Sequence, residues 1–251
     1  MIFPDLPALT PHAWIPGPRE ALLGAGAGLV VGVFAGAAAG ALHDGGRPVA
    51  YTRKVFHFAV FTAAAAIYFL EGLATTNAFG VVVAGLVMAA VRAGRESPLF
   101  RALARPGDRP HEAWFILVPL VATAVGGLAA AFVAGKYAAV GYLVAGWGDA
   151  VGEPVGRRWG RHRYRVPSLR GVAVTRSWEG SLAVFVVSAL AAGVTLYALE
   201  RGDMSFTAAA GRAVLVALVA AGVEAWSSHG LDNLTVPVAA AWLAALTAGG
   251  G

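Results

Sequence analysis

Cysteine is absent from the 251 residues of this chain. Its absence excludes disulfides and thiolate metal sites. Charge is scarce as well: Asp, Glu, Lys and Arg together make 13% of the residues, against about 25% in a soluble domain. Apolar side chains make 58%, and the mean hydropathy is +0.67. A chain this poor in charge has lipid, not water, as its main solvent. Several signatures of familiar chemistry are also missing. Gly135-Lys136 is followed by Tyr137, so there is no P-loop for phosphate. His111-Glu112 lacks a second His four residues on, which excludes a metalloprotease helix. No Gly-x-Ser-x-Gly elbow occurs. The N-terminal MIFPDLPALTPHAWIPGPRE lacks the basic start of a signal peptide and reads as an irregular lead-in over residues 1–20.

What is present is a series of apolar runs from end to end. A helix needs about 20 apolar residues to cross a bilayer. Eight runs approach that length: 21–42, 55–73, 77–91, 113–134, 137–149, 180–199, 206–225 and 231–247. They predict an all-α, polytopic transmembrane bundle of eight spans, with seven to nine as the range, forming a single integral membrane domain over 1–251. The abundant Ala and Gly suit close helix packing in lipid. The net charge of +5 is unevenly placed. Loops one, three and five between these runs hold 15 of the 19 basic residues, and the even loops hold almost none. Lys and Arg collect on the cytoplasmic side, so the odd loops are expected there and both termini outside. Basic residues so placed orient a membrane protein, and no nucleic-acid partner is expected.

Three polar clusters break the apolar text, all in odd loops. The first is TRKVFHF, 52–58, where Arg53 and His57 share a helix face at i, i+4 and Lys54 stands beside His57 at i, i+3. Ordinary orienting charges account for it when it is taken alone. The second is GWGDAVGEPVGRRWGRHRYR, 146–165. Its glycines at 148, 152, 156 and 160 recur every four residues, which is also the spacing of a small-residue packing stripe. Asp149, however, ends an apolar run, and an ionisable group at membrane depth is a functional candidate. Pro154 argues against a regular helix here. A broken, glycine-rich backbone beside an acid and Arg157, Arg158 and Arg161 would suit a polyphosphate: amides approach its oxygens, Asp149 holds Mg²⁺, and guanidinium forks neutralise charge. The third cluster has two parts. TRSWEGS, 175–181, carries Arg176, Ser177 and Glu179, with helix capping as the alternative for Glu179. EAWSSHGLDNLTVP, 224–237, gathers Glu224, Ser228, His229, Asp232 and Asn233 where no Lys or Arg lies. Capping explains one acid there; the group suits the metal-binding half of a site.

RKVFH at 53–57, GDAVGEPVGRRWG at 148–160, RSWEGS at 176–181 and VEAWSSHGLDNLTVP at 223–237 resemble, in family order, the phytol, farnesol and dolichol kinases. These are polytopic, CTP-using lipid kinases related to the phosphatidate cytidylyltransferases. Two positions depart from the family pattern: Arg176 stands where Lys is usual, and Glu153-Pro154 stands where a pair without proline is expected. The resemblance implies phosphoryl transfer from a nucleoside triphosphate, CTP, to a long-chain isoprenoid alcohol such as phytol, farnesol, geranylgeraniol or dolichol. It implies an active site on the cytoplasmic face, with the alcohol's tail in the bilayer. Asp149 and Asp232 would bind Mg²⁺ with Asn233 assisting. Arg53, Lys54, Arg157 and Arg176 would hold phosphates, with Gly148, Gly152, Gly156 and Ser177 lining the nucleotide. Glu179 or His57 would take the alcohol proton. Cytidylyl transfer to a lipid phosphate and diacylglycerol phosphorylation are the nearest alternatives. A transporter is the alternative of another class, but it should place polar groups near mid-membrane rather than at one face.

Overall fold

The computed structural model describes residues 14–167, 174–201, 204–228 and 230–248. His229 of the clusters above, and most of the N-terminal lead-in, lie outside the described residues. The helices are α1 (Pro18–Asp44), α2 (Val49–Glu71), α3 (Leu73–Ala93), the short α4 (Pro98–Leu103), α5 (Glu112–Ala134), α6 (Ala138–Trp159), α7 (Trp178–Leu199), α8 (Phe206–Trp226) and α9 (Asp232–Ala248). Every long helix corresponds to one of the eight expected spans. Among the described residues, six helical segments are long and apolar enough to cross a membrane, and one of these, Glu112–Trp159, contains both α5 and α6. This is an all-α polytopic membrane protein. Its one ribbon among the described residues is an antiparallel pair, β1 (Arg163–Val166) and β2 (Val174–Ser177), with Tyr164 opposite Arg176.

The distribution of side chains is that of a protein in lipid. Alanines such as Ala130, Ala138, Ala191, Ala217 and Ala240 are buried, while Leu22, Phe34, Leu70, Leu182 and Leu218 are exposed. Small residues let helix backbones approach, and large ones face the tails. One expectation is corrected. Pro154 does not interrupt the second cluster: α6 continues through it to Trp159. Proline removes one bond of the helical ladder, but packing against a neighbouring helix keeps such a helix intact in a membrane.

The described helices group into two compact units that meet in sequence between Val121 and Ala122. In the N-terminal unit α1 packs on α2, α3 and α4. Gly72, at φ 82°, makes the tight link between α2 and α3 that a residue with a side chain rarely adopts. Phe56, Phe79, Val83, Val87, Phe100 and Leu103 form the unit's core. At one end, Arg101 pairs with Asp44 at 3.0 Å and Thr52 Oγ1 donates to the Ala102 carbonyl at 2.8 Å, joining loops one and three. At the other end, Arg19 pairs with Glu71 at 3.0 Å.

In the C-terminal unit α6 packs on α7, α7 on α8, and α9 on both α6 and α8. The chain reverses at each turn, so loops five and seven meet at one end of this unit. Tyr137, Glu200, Arg212 and Thr247 meet at the other. There Tyr137 donates to Glu200 Oε1 at 2.5 Å, and Arg212 donates to Glu200 Oε2 at 2.6 Å and to Thr247 Oγ1 at 3.1 Å.

Candidate active site

At the loop-five end of the C-terminal unit, four pieces of chain converge. Asp149 projects from the C-terminal half of α6, Glu224 from the last turn of α8, Asp232 from the first turn of α9, and Arg176 from β2. Gly230, at φ 85°, lets the chain reverse between α8 and α9, which brings Asp232 back to Glu224. One carboxylate oxygen from each of Asp149, Glu224 and Asp232 lies within 4.8 Å of the others. Glu224 and Asp232 are buried and Asp149 is half-buried. The Arg176 guanidinium reaches two of the three acids. Its Nη1 pairs with Glu224 Oε1, and its Nη2 donates to Asp232 Oδ2 at 3.1 Å and to the Ser227 carbonyl at 2.9 Å. These four groups together carry two formal negative charges. Glu224 Oε2 is buried with no hydrogen-bond partner.

This donor set fits a hard divalent cation. Mg²⁺ takes oxygen ligands at about 2.1 Å, so its ligand oxygens stand at most about 4.2 Å apart. The three carboxylates need close in by only a fraction of an ångström. Glu224 Oε2, buried and unpartnered, is the kind of group that a cation would satisfy. Asp149, Glu224 and Asp232 are therefore the residues that could hold Mg²⁺. Asn233, expected to assist, turns its side-chain NH₂ to Thr123 Oγ1 at 3.0 Å.

The glycines of the second cluster are a packing stripe. A Cβ at Gly152 would lie 2.8 Å from Val184 Cγ2, and one at Gly148 would lie 2.3 Å from Ser188 Oγ. Both neighbours are on α7. Gly156 faces Ser177 Oγ in the same way. The amides of a continuous helix serve its own ladder, so the cradle of unbonded amides expected at Gly148, Gly152 and Gly156 is not formed. The stripe does bring Gly152 to Glu224, whose Oε1 would lie 3.7 Å from a Cβ added there. Small residues on α6 thus leave room for the acids.

The remaining residues named from sequence divide by location. Ser177 is buried as the N-cap of α7, its Oγ accepting from the Gly180 amide at 3.1 Å. Arg157 is exposed near the end of α6. Glu179 pairs with His162 Nδ1 at 2.8 Å and also accepts from the His162 amide at 3.2 Å, closing the foot of the β-ribbon. Arg53, Lys54 and His57 lie on α2 in the N-terminal unit. Lys54 is buried, and His57 stacks on Phe61 with ring centroids 4.2 Å apart. The place of His162 was unforeseen, and Glu224, grouped from sequence with the metal-binding half but not named as a Mg²⁺ ligand, is the third acid of the set. An acid inside an apolar helix was the available signal for Glu224; nothing in the local sequence marks His162.

No protein-family model and no solved structure matches the chain. A curated protein does: the phytol kinase of Synechocystis sp. is 33% identical over 200 residues, covering 78% of this chain and 79% of the relative. That extent of identity, across most of both proteins, shows that the chain belongs to the phytol kinase family.

Proposed function

We propose that this protein is a membrane-embedded lipid kinase that transfers the γ-phosphoryl group of CTP to the hydroxyl of an isoprenoid alcohol of the phytol type. The observation that carries the reading is the convergence of Asp149, Glu224 and Asp232 within 4.8 Å, beside Arg176, in a member of a kinase family. Phosphoryl transfer asks for charge neutralisation and in-line positioning more than for covalent catalysis. Mg²⁺ on the three carboxylates supplies the neutralisation. Arg157, in the same unit as the acids, is the proposed phosphate holder. The odd loops are proposed to face the cytoplasm, where the nucleotide is dissolved, and the alcohol's tail lies among the apolar helices. The alcohol proton is proposed to go to Glu179, and the pH profile of Glu179→Gln tests this.

The test uses purified protein with Mg²⁺, γ-labelled CTP, ATP, GTP or UTP, and phytol, farnesol, geranylgeraniol, dolichol or diacylglycerol. The expected outcome is label on an isoprenoid alcohol, with CDP as the second product. Release of pyrophosphate would replace the kinase with cytidylyl transfer, and label on diacylglycerol alone would replace the acceptor.

A further inference from the structure

Arg176 was expected on phosphate, yet its guanidinium is on the acids. It joins Glu224, Asp232 and the Ser227 carbonyl at once, and its side chain is only 16% exposed. Its Nε is buried with no partner. Glu224 is 3% exposed and Asp232 7%, so neither acid has bulk water to stabilise its charge. A buried carboxylate with no counter-charge becomes protonated or destabilises the fold. Arg176 supplies that counter-charge to Glu224 and Asp232 from within the fold.

We infer that Arg176 is the built-in counterion of the carboxylate cluster, holding Glu224 and Asp232 in place before a divalent cation arrives and competing with that cation for them. The inference rests on the kinase reading only in taking the cluster as the metal site. Its β-ribbon explains how one side chain fills this role. Arg176 sits opposite Tyr164, Tyr164 Oη hydrogen-bonds Ser181 Oγ at 2.7 Å, and Ser177 caps α7 next door. The arginine is thus anchored on a paired strand, next to the cap of α7. Its planar fork spans two carboxylates, which a single ammonium does not do. Two cations that share the same ligands oppose each other's binding, so removing the resident one exposes the acids to the other.

The experiment measures Mn²⁺ binding by electron paramagnetic resonance, without nucleotide, to purified wild-type protein, Arg176→Gln, Arg176→Lys and the double variant Arg176→Gln/Glu224→Gln. Arg176→Gln is expected to bind Mn²⁺ at least tenfold more tightly than wild type, with Arg176→Lys in between. The double variant, which removes both halves of the buried pair, is expected to keep its fold and to lose most of that gain. Arg176→Lys, which keeps a positive charge beside the acids, carries the test where Arg176→Gln alone fails to fold. Equal or weaker Mn²⁺ binding by folded Arg176→Gln or Arg176→Lys overturns the inference, as does a double variant that keeps the full tenfold gain over wild type. A tightened Mn²⁺ site in a protein that phosphorylates no alcohol would uphold the counterion and reject the kinase. An active kinase with unchanged Mn²⁺ binding would do the reverse.

Discussion

Glu224 is the residue hardest to account for as architecture. It ends an apolar helix, is 3% exposed, and keeps Oε2 buried without a partner. A purely structural side chain at this place would be apolar, since a buried ion pair rarely stabilises a fold more than well-packed hydrocarbon does. Its retention beside Asp149 and Asp232 makes sense if charge is needed there. Glu224→Gln and Asp149→Asn keep side-chain volume and remove one charge each. Each is expected to lower turnover by roughly 10²–10³-fold, the usual scale for losing one electrostatic contact to a transition state. Initial rates with phytol at saturating nucleotide, with a thermal midpoint as control for folding, check this. Turnover within a factor of three of wild type would remove the acids from the chemistry. Asp149 and Asp232 were legible in sequence because acids at the ends of apolar runs are conspicuous. The part played by Arg176 was not: an arginine among many basic residues looks like a phosphate ligand until the fold shows which acids surround it.

The α6–α7 pair is where one spacing supported two readings. Glycines every four residues fit either a phosphate cradle or a helix contact, and the sequence read Pro154 as favouring the first. The contact prevails because α7 supplies its own small residue at the crossing. A Cβ at Gly180 would lie 2.7 Å from the Gly152 carbonyl oxygen, a backbone atom that moves only with its helix. Gly180→Ala is therefore expected to force α6 and α7 apart at a cost of about 1–3 kcal/mol, as overpacking does. Gly222 in α8 is the contrast: a Cβ there meets nothing within 4 Å. Gly222→Ala is expected to be neutral or to stabilise by up to about 1 kcal/mol through helix propensity. Chemical unfolding of the two variants in detergent distinguishes them, and equal effects would refute the packing account. The helices themselves were legible from apolar run lengths. The β-ribbon was not, because RYRV and VTRS are short and arginine-bearing, and strands of four residues gain their form only by pairing.

Across the molecule, charge and polarity sort by end within each unit. In the N-terminal unit Arg101 and Asp44 tie loops one and three together, and in the C-terminal unit the acids and Arg176 gather at the end where loops five and seven meet. That grouping matches the alternation of basic residues in sequence, from which a cytoplasmic site is proposed. The absence of cysteine makes the orientation directly measurable. Arg201→Cys is expected to react with a membrane-impermeant maleimide in intact cells, and Arg165→Cys only after permeabilisation; the opposite pattern would invert the topology. The end of the C-terminal unit remote from the acids makes a different prediction. Glu200, whose side chain is 12% exposed, receives Arg212 at 2.6 Å and Tyr137 at 2.5 Å. Burial works to raise its carboxyl, but the hydrogen bonds from Arg212 and Tyr137 and the nearby positive charge outweigh burial and hold it below the ordinary carboxylate range. A carboxyl whose folded value is lowered stabilises the fold above its unfolded value, about 4.3, and that contribution fades as pH falls through the lowered folded value. Glu200→Gln leaves Arg212 without its charged partner, and breaking such a pair costs about 3 kcal/mol. The gap in thermal midpoint between wild type and Glu200→Gln is therefore expected to be constant from pH 7 to about pH 5 and to narrow below about pH 4. A gap that stays constant down to pH 3, or widens, would mean that the charge of Glu200 does not hold the four helices together at this end.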